Sequence, residues 1–440
     1  MRDLGQPAHI ISSTLAASLA LLTSSTVFAA DLGSNCCADL EERIAELEAT
    51  TARKGNRKVS LTISGYVAQE ITYWDDGGQS DVYEHGLGPT QTTHVKFTGQ
   101  ATISPGWNAG YVLRLQNLDD NPFGRDAAGN AISQNSSRFS QGINVQMSYW
   151  YLQSKDFGKL SVGRQALAAK SAAMFTDQSG TQVLDNYTFL AGFPQFIIRS
   201  GGDLKPASLT WGQLGFCYNQ NLPLGGDCNG LVMNGVRYDT PVVMGFSASA
   251  SWGEDDVWEG ALRYAGEFSG FKVSLGAGYS KSTDFATTGP AVSLNKDSEY
   301  FQAGGYVQHL GSGLFAHAAY GQENNNDAVL LNGKIAPDSH HWYVKGGIRQ
   351  KWTSLGATVV YGDYAQYIDQ LGPGALALGA TSSTLTRYGA GIAQEIDAAA
   401  MTVYLKYQHY DADVSGAKLN AAVTDLDSLD LVSAGAIINF

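Results

Sequence analysis

Apolar and polar residues alternate along most of the chain after residue 59. In the segment 399–411, Met401, Val403 and Leu405 fall on one side, and Thr402 and Lys406 fall on the other. This period of two is typical of a β-strand with one apolar and one polar face. Most of the alternating segments are roughly ten to thirteen residues long, which suits a tilted transmembrane strand better than a shorter globular one. Sixteen are found, at 59–73, 93–104, 107–118, 142–155, 158–165, 230–239, 242–252, 257–268, 270–282, 298–309, 313–323, 341–351, 354–366, 383–395, 399–411 and 427–440.

The connections between these segments alternate between short and long. Tight turns such as Ser104-Pro105-Gly106 are followed by long polar stretches such as 74–92, 283–297, 324–340 and 367–382. Short periplasmic turns and long external loops are typical of an outer-membrane barrel. A large soluble β-sandwich explains the alternation, but it explains neither the strand length nor the loop pattern. The sequence therefore predicts an all-β fold, a sixteen-stranded antiparallel transmembrane β-barrel over residues 59–440.

Residues 1–30 have the pattern of a secretory signal peptide. An apolar run at 10–22 is followed by small residues at Ala29 and Ala30, where a signal peptidase would cut. A buried core helix is the alternative, but a polar, acidic segment follows at once. Export in a bacterium would place the chain in an oxidising compartment.

Residues 31–58 combine a short helical pattern with a basic linker. The segment Arg43-Ile44-Ala45-Glu46-Leu47-Glu48 resembles a motif of trimeric coiled coils, in which an Arg reaches the Glu of a neighbouring helix. A trimeric helix between Arg43, Ile44, Leu47 and Glu48 of different subunits and a flexible spacer stay open as alternatives. Neighbouring cysteines rarely pair with each other. Our hypothesis is therefore that Cys36 and Cys37 link helices of different subunits.

Composition narrows the class further. Charged residues make up 16% of the chain, Gly occurs 51 times and Tyr 22 times, a balance that is unlike a cytosolic α/β enzyme. The net charge of −13 argues against nucleic acid as a partner. Mean hydropathy is −0.14, and past residue 30 no apolar run reaches the roughly 20 residues of a spanning helix. A helical membrane protein is thereby excluded.

The last strand ends on an aromatic residue. Val432, Ala434, Ala436, Ile438 and Phe440 share one face. This strand resembles the terminal strand that the outer-membrane barrel-assembly machinery recognises, so Phe440 is a candidate assembly signal.

Residues 36–78 resemble the start of mature alphaproteobacterial outer-membrane porins, through the helix, the basic linker and the first strand. The resemblance extends to residues 234–241 and to Phe440. It implies a sixteen-stranded homotrimer in contact with outer-membrane lipid and lipopolysaccharide. It also implies passive diffusion of ions and small hydrophilic solutes.

Residues 166–229 form a connection far longer than the others, and such a loop is improbable unless it has a function. Its position matches the third external loop of general porins, which folds inward and narrows the lumen. Cys217 and Cys228 fall inside it and make a plausible disulfide, with two free thiols as the alternative. The loop holds no His, so no metal site is expected there.

Ion selectivity requires fixed charge at the constriction. In general porins, an Arg of a Tyr-Gly-Arg-Asn segment lines the pore, and Val162-Gly163-Arg164-Gln165 resembles it, although the parity of Arg164 matches Leu160 and Val162. A row of cations facing a row of carboxylates would orient dipolar solutes; alternatively, many of these charges are merely solvated. The other candidates are Asp177, Asp185 and Asp203 in the loop, and Lys96, Arg114, Arg237, Arg263, Lys345 and Arg349 on the wall.

The function that follows is an open diffusion channel. A substrate-selective channel, for example for sugars, is the alternative, and it would need an aromatic track along the lumen. Most aromatic residues have lipid-facing parity instead, apart from Tyr343 and Tyr404. A surface adhesin is less favoured. No nucleophile elbow, phosphate loop or Cys-x-x-Cys is present, so no enzyme, metal or cofactor is expected.

Overall fold

Sixteen long antiparallel strands form one closed sheet. A computed structural model describes residues 59–87, 91–117, 142–188, 196–204, 209–217, 225–230, 232–254, 256–283, 297–326, 337–416 and 425–440. The strands are β1 (Ser60–Asp75), β2 (Ser80–His85), β3 (His94–Ser104), β4 (Trp107–Asn117), β5 (Ile143–Ser154), β6 (Gly158–Ala166), β7 (Arg199–Ser200), β8 (Asp203–Leu204), β9 (Val232–Asp239), β10 (Phe246–Gly253), β11 (Val257–Phe268), β12 (Phe271–Ser282), β13 (Ser298–His309), β14 (Leu314–Asn325), β15 (Ser339–Thr353), β16 (Gly356–Ile368), β17 (Ser382–Ile396), β18 (Met401–Ser415) and β19 (Leu429–Asn439).

The barrel closes between its first and last strands. β1 pairs with β19 from Tyr66 opposite Asn439 to Asp75 opposite Asp430. Elsewhere each long strand pairs with its sequence neighbours, and β6 pairs with β9 across the long connection. The sixteen long strands are β1, β3–β6 and β9–β19, so the predicted barrel is confirmed.

The connection between the first two long strands, β1 and β3, is not the plain loop over 74–92 that the sequence predicts. β1 continues to Asp75 and turns over 76–79, and β2 then pairs back with it, Glu70 opposite His85. β3 pairs with the other half of β1, Tyr66 opposite His94. The predicted strand ends at residue 73, two residues short of the end of β1, and the prediction lacks β2. Both errors arise because polar residues at this end of the barrel still belong to the sheet.

The two ends of the barrel differ in the length of their connections. At the end that we call the turn end, β3 and β4 are joined by Pro105 and Gly106, and β11 and β12 by Ser269 and Gly270. Gly106 has φ +80°, a left-handed conformation that costs glycine little and other residues more. The long connections lie at the opposite end, the loop end. A short helix there, α1 (Pro373–Ala377), lies between β16 and β17. Among the described residues, no helix has both the length and the apolar character that crossing a bilayer requires.

The outer face of the barrel is apolar and accessible. Leu405 is 49% exposed, whereas the next residue, Lys406, points inward and is 8% exposed. One aromatic residue per strand from β10 to β18 forms a belt on this face, which we call the outer belt. Members on neighbouring strands pair directly or lie two residues apart, which gives a continuous ring over these strands. Its members are Trp252, Trp258, Tyr279, Phe301, Tyr320, Trp342, Tyr364, Tyr388 and Tyr407.

The connection between β6 and β9 is described over residues 167–188, 196–204, 209–217 and 225–230; these parts fold into the barrel, and we call them the inner loop. It packs on the inner wall in two apolar clusters. In one cluster, Tyr187 and Trp211 contact wall residues that include Tyr343 and Tyr367. In the other, Leu184 packs among Leu87, Tyr306, Tyr361 and Tyr404. Tyr343 and Tyr404 face inward as their parity predicted, and further inner-face tyrosines such as Tyr361 and Tyr367 also cover the inner loop.

Candidate functional site

Both ends of the inner loop are tied to one carboxylate on the wall. Glu259, on the inner face of β11, accepts the backbone N–H of Ala169 at 2.7 Å through Oε2 and that of Gly230 at 2.6 Å through Oε1. Ser251 Oγ accepts the N–H of Ala168 at 2.8 Å. These bonds satisfy backbone donors that would otherwise be buried unpaired. The start and the end of the loop are thus held side by side against β10 and β11.

A second carboxylate, Asp227, joins the two ends inside the loop itself. It accepts the backbone N–H and the hydroxyl of Ser171, both at 2.7 Å. Lys170 Nζ lies 3.0 Å from its Oδ2, and Gln302 of β13 donates to its Oδ1 at 2.9 Å. Gln302 also accepts the N–H of Ala173 at 3.0 Å, so one wall amide orients the loop on both sides of this junction.

The middle of the inner loop is fixed to the wall by ion pairs. Lys345 Nζ of β15 lies 3.0 Å from Asp177 Oδ2 and donates to the Asp185 carbonyl at 3.0 Å. Arg387 of β17 lies between Asp185, at 3.0 Å, and Asp363 of β16. The side chains of all five ion-paired residues are at most 1% exposed: Asp177, Asp185, Lys345, Asp363 and Arg387.

Lys406 of β18 completes this set of contacts. Its Nζ donates to the Leu184 carbonyl at 3.1 Å and lies 3.1 Å from Glu70 Oε2 on β1. Tyr367 donates its hydroxyl to the Tyr187 carbonyl at 2.6 Å. Removing one partner of a buried ion pair typically costs about 3–5 kcal/mol. The loop is therefore fixed to the wall formed by β13–β19.

Burial by itself raises the pKa of the Asp177 carboxyl. The Lys345 ammonium, with His317 and two hydrogen bonds from Ser179, outweighs burial and holds that pKa below its ordinary value. Asp177 is therefore a carboxylate at neutral pH, and its charge is paired with the Lys345 ammonium of the wall.

Three further predicted cations bind backbone carbonyls of the loop. Arg237 donates to the Ala166 and Leu167 carbonyls, each at 3.2 Å, and to Asp239 at 2.6 Å. Arg263 donates to the Ala168 carbonyl at 2.8 Å. Arg349 donates to the Ser179 carbonyl at 3.2 Å and pairs with Glu395, Nη2 to Oε2, at 2.7 Å.

Comparison with known proteins gives the family. A sequence model of Gram-negative porins matches residues 15–262 and 259–427. The chain belongs to the Gram-negative porin family. It is an integral β-barrel protein of the outer membrane and a porin channel, as the sequence predicted.

The solved structures agree with this fold. An anion-selective porin from Comamonas acidovorans is 16% identical, over 87% of this chain and 100% of its own, with a TM-score of 0.53. In-vitro folded OmpT of Vibrio cholerae is 14% identical, over 88% of this chain and 99% of its own, with a TM-score of 0.51. No curated protein sequence matches the chain.

Two residues predicted at the constriction of this porin lie elsewhere. Arg164 is exposed on the outer face of β6, in the same alternation as Leu160 and Val162, so the predicted lumen position is wrong. Its parity was the correct signal, and the short motif resemblance was misleading. Asp203 is exposed in the β7–β8 hairpin at the loop end, where Asp427 accepts the neighbouring Gly202 N–H at 2.7 Å. It is therefore not at the level of Asp177.

Lys96 and Arg114 lie opposite each other on the inner faces of β3 and β4. Lys96 is partly exposed and Arg114 is buried. Both therefore face the barrel interior, as their parity predicted, on the wall away from Lys345 and Arg387.

The predicted disulfide is confirmed. Cys217 and Cys228 are bonded, with their Cα atoms 5.2 Å apart, and both pack against Tyr300 of β13. The residues predicted for subunit contacts, Cys36, Cys37, Arg43, Ile44, Leu47 and Glu48, lie outside the described residues, as do the predicted signal peptide and all of the linker before residue 59. Phe440 continues the pairing of the last strand: it exchanges two backbone hydrogen bonds with Gly65, at 2.9 and 3.1 Å.

Several residues that hold the loop were missed in the sequence. Arg387 and Lys406 have inner-face parity in their strands, so alternation alone would have placed them on the wall. The carboxylates Glu70, Glu259 and Asp363 carry the same signal. For Asp227 and Gln302, no feature of the sequence indicates which residues they contact. Among the described residues, no three His, Cys, Asp or Glu side chains converge as a metal site.

Proposed function

We propose that the porin forms a water-filled passage between the inner loop and the strands β3–β6, beside the part of the wall, β9–β12, that the start and the end of the loop contact. The observation that carries this proposal is the one-sided attachment of the loop. The middle of the loop is bound by Lys345 of β15, Arg387 of β17 and Lys406 of β18, whereas β9–β12 contact only its start and its end. A barrel of sixteen strands leaves a wide lumen. A loop fixed against one side narrows that lumen and leaves the other side for solutes. Ions and small hydrophilic molecules would cross by passive diffusion.

A sugar-selective channel is less well supported. The inner face does carry aromatic residues, but Tyr300, Tyr343 and Tyr367 are at most 1% exposed because they lie beneath the inner loop. Rings covered in this way offer no surface on which a passing sugar can stack. That the porin is not an enzyme, and that it needs no cofactor, stay predictions.

The working assembly proposed here is a homotrimer. The outer belt is continuous over β10–β18 and stops at β9, where Val236 pairs with Trp252. Beyond that point, Asn234 and Arg164 pair on the outer face, and Asn234 donates to Glu254 at 3.2 Å. Arg164 lies two residues beyond the level of the outer belt, near the membrane interface, where a polar contact between subunits can form. Contact with neighbouring subunits would remove Arg164 from lipid.

The remaining proposals concern targeting and assembly. Residues 1–30 would be removed as a signal peptide, and residues 31–58 would form a helix and linker, with Cys36 and Cys37 linking subunits. Phe440 would present the last strand to the barrel-assembly machinery, and the outer belt would contact lipid and lipopolysaccharide. The narrower likeness to alphaproteobacterial porins stays a prediction.

Conductance across a planar lipid bilayer tests the open passage. We expect stepwise insertions of purified protein, each closing in three equal sublevels under high voltage. Folded, membrane-inserted protein that carries no current would contradict the proposal and favour a plugged barrel. Single-level closure would leave the passage in place and contradict the trimer.

A further inference from the structure

The inner wall divides into two parts with different charge. We call β13–β19 with β1 the anchored half, and β3–β6 with β9–β12 the open half. In the anchored half, Lys345 and Arg387 are buried against loop carboxylates. In the open half, Lys96, Lys159 and Arg263 stay partly exposed inside the barrel.

The inner loop directs its carboxylates away from the open half. The side chains of Asp177 and Asp185 are at most 1% exposed, because both are covered by the cations of β15 and β17. Within residues 167–188, the side chains that remain partly exposed are Lys170, Phe175, Gln178, Gln182 and Val183. The surface that the loop leaves accessible over this stretch is therefore neutral or positive.

The wall of the open half carries an excess of cations. Two of its three described inner-face carboxylates are already engaged: Asp239 with Arg237 and Lys159, and Glu259 with the two loop N–H groups. The third, Glu267, lies opposite Lys272 near the turn end, so these two charges offset each other. The described inner-face cations number six, of which Arg114 and Arg237 are buried and Lys96, Lys159, Arg263 and Lys272 stay partly exposed.

We propose that the passage prefers small anions to cations. This inference rests on the proposed open passage and deepens it, since it names the class of solute. A few fixed charges act strongly across a narrow aqueous path because low-dielectric walls focus their field. Rings of Lys and Arg select anions. Inorganic anions and small organic solutes with one carboxylate or phosphate group would therefore enter more readily than cations of the same size.

The negative charge of the whole chain does not oppose this preference. Acidic residues such as Asp81, Asp413, Asp425 and Asp427 lie at the loop end, near the mouth of the barrel. Charges exposed to solvent are screened beyond roughly 8–10 Å at physiological salt. The groups that line the narrow part of the path therefore decide the selectivity.

Reversal potentials under a KCl gradient test the inference, in the same bilayers that record conductance. We expect chloride to be more permeant than potassium, and Lys159→Gln to lower the chloride-to-potassium permeability ratio by about twofold or more. Arg263→Gln should act in the same direction. Arg263→Gln also removes the hydrogen bond to the Ala168 carbonyl and could therefore disturb folding. Lys159 instead pairs with Asp239 on the wall, so Lys159→Gln remains a usable test in that case.

Lys281→Gln is the matched control. Lys281 lies on the outer face of β12, beside Glu299 at 2.9 Å, so this variant loses the same charge outside the passage and should leave the ratio unchanged. Channels that conduct but favour potassium would overturn the anion preference and leave the proposed channel standing. Equal shifts for Lys159→Gln and Lys281→Gln would also overturn it. Absence of current would overturn both proposals.

Discussion

The two halves of the barrel interior use their charged residues in different ways. In the anchored half, Lys345 and Arg387 each lie 3.0 Å from a loop carboxylate and are excluded from solvent. In the open half, Lys159 pairs with Asp239 at 3.5 Å, and both side chains stay 20% exposed. The same alternating pattern therefore produces fully buried ion pairs with the loop on one wall and, on the other, cations such as Lys159 that keep part of their side chain accessible. The difference comes from which wall the inner loop covers.

The largest expected effect is the loss of a cation in the anchored half. Arg387→Met would leave Asp185 and Asp363 buried without their shared guanidinium, and we expect the free energy of unfolding to fall by about 3–5 kcal/mol. The detached loop should also make single-channel currents larger or noisier. Urea unfolding in lipid vesicles, followed by tryptophan fluorescence, measures the first effect, and bilayer recordings measure the second.

Lys159→Met in the open half is the control for that experiment. It also removes an inner-face cation, but from a longer, partly solvent-accessible pair, and we expect its cost to be nearer the roughly 0–1 kcal/mol of accessible pairs. Comparable destabilisation by the two variants would show that the halves do not differ as the geometry indicates. An unchanged stability of Arg387→Met would contradict the anchoring role itself.

A smaller effect is expected on the outer surface of the open half. If Arg164 lies between subunits, Arg164→Ala should weaken the trimer, since truncation of an interface arginine often costs more than about 1 kcal/mol. The temperature at which trimers dissociate in detergent, read from gel mobility, should fall, and Arg164→Lys should recover part of it. Lys281→Gln, at the outer belt, should not change it. Identical dissociation of all four proteins would place Arg164 outside any interface.

The strands could be predicted from sequence because each depends on its own alternation. β18 shows this most clearly, since Leu405 and Lys406 occupy opposite faces as their positions indicate. The Cys217–Cys228 bond could also be predicted, because its two residues are only 11 apart in the chain. Parity alone would also have placed Arg387 on the inner face, but nothing local sets it apart from other polar residues.

The contacts of the inner loop could not be predicted in the same way. Asp177 and Lys345 are 168 residues apart, and Lys406 and Leu184 are 222 residues apart. Their meeting depends on the path of the loop, which is set by packing of Tyr187 and Leu184 on distant strands. The sequence therefore predicts the residue types of a charged lumen but not their contacts. In the structure, Asp177 and Asp185 of the loop face the wall cations and not the solute.

The smallest expected effect concerns pH, and it follows from the lowered pKa of Asp177. A carboxyl whose folded pKa lies below its unfolded value of about 3.9 stabilises the fold fully above that value. Its contribution is lost only as pH falls through the lower, folded pKa. Between pH 7 and pH 5 the Lys345–Asp177 pair should therefore stay ionised, and the stability difference between the porin and Asp177→Asn should stay constant. Urea unfolding of both proteins at several pH values measures this difference. A difference that shrinks already between pH 7 and pH 5 would mean that Asp177 takes up a proton there, and that Lys345 does not hold the loop as an ion pair.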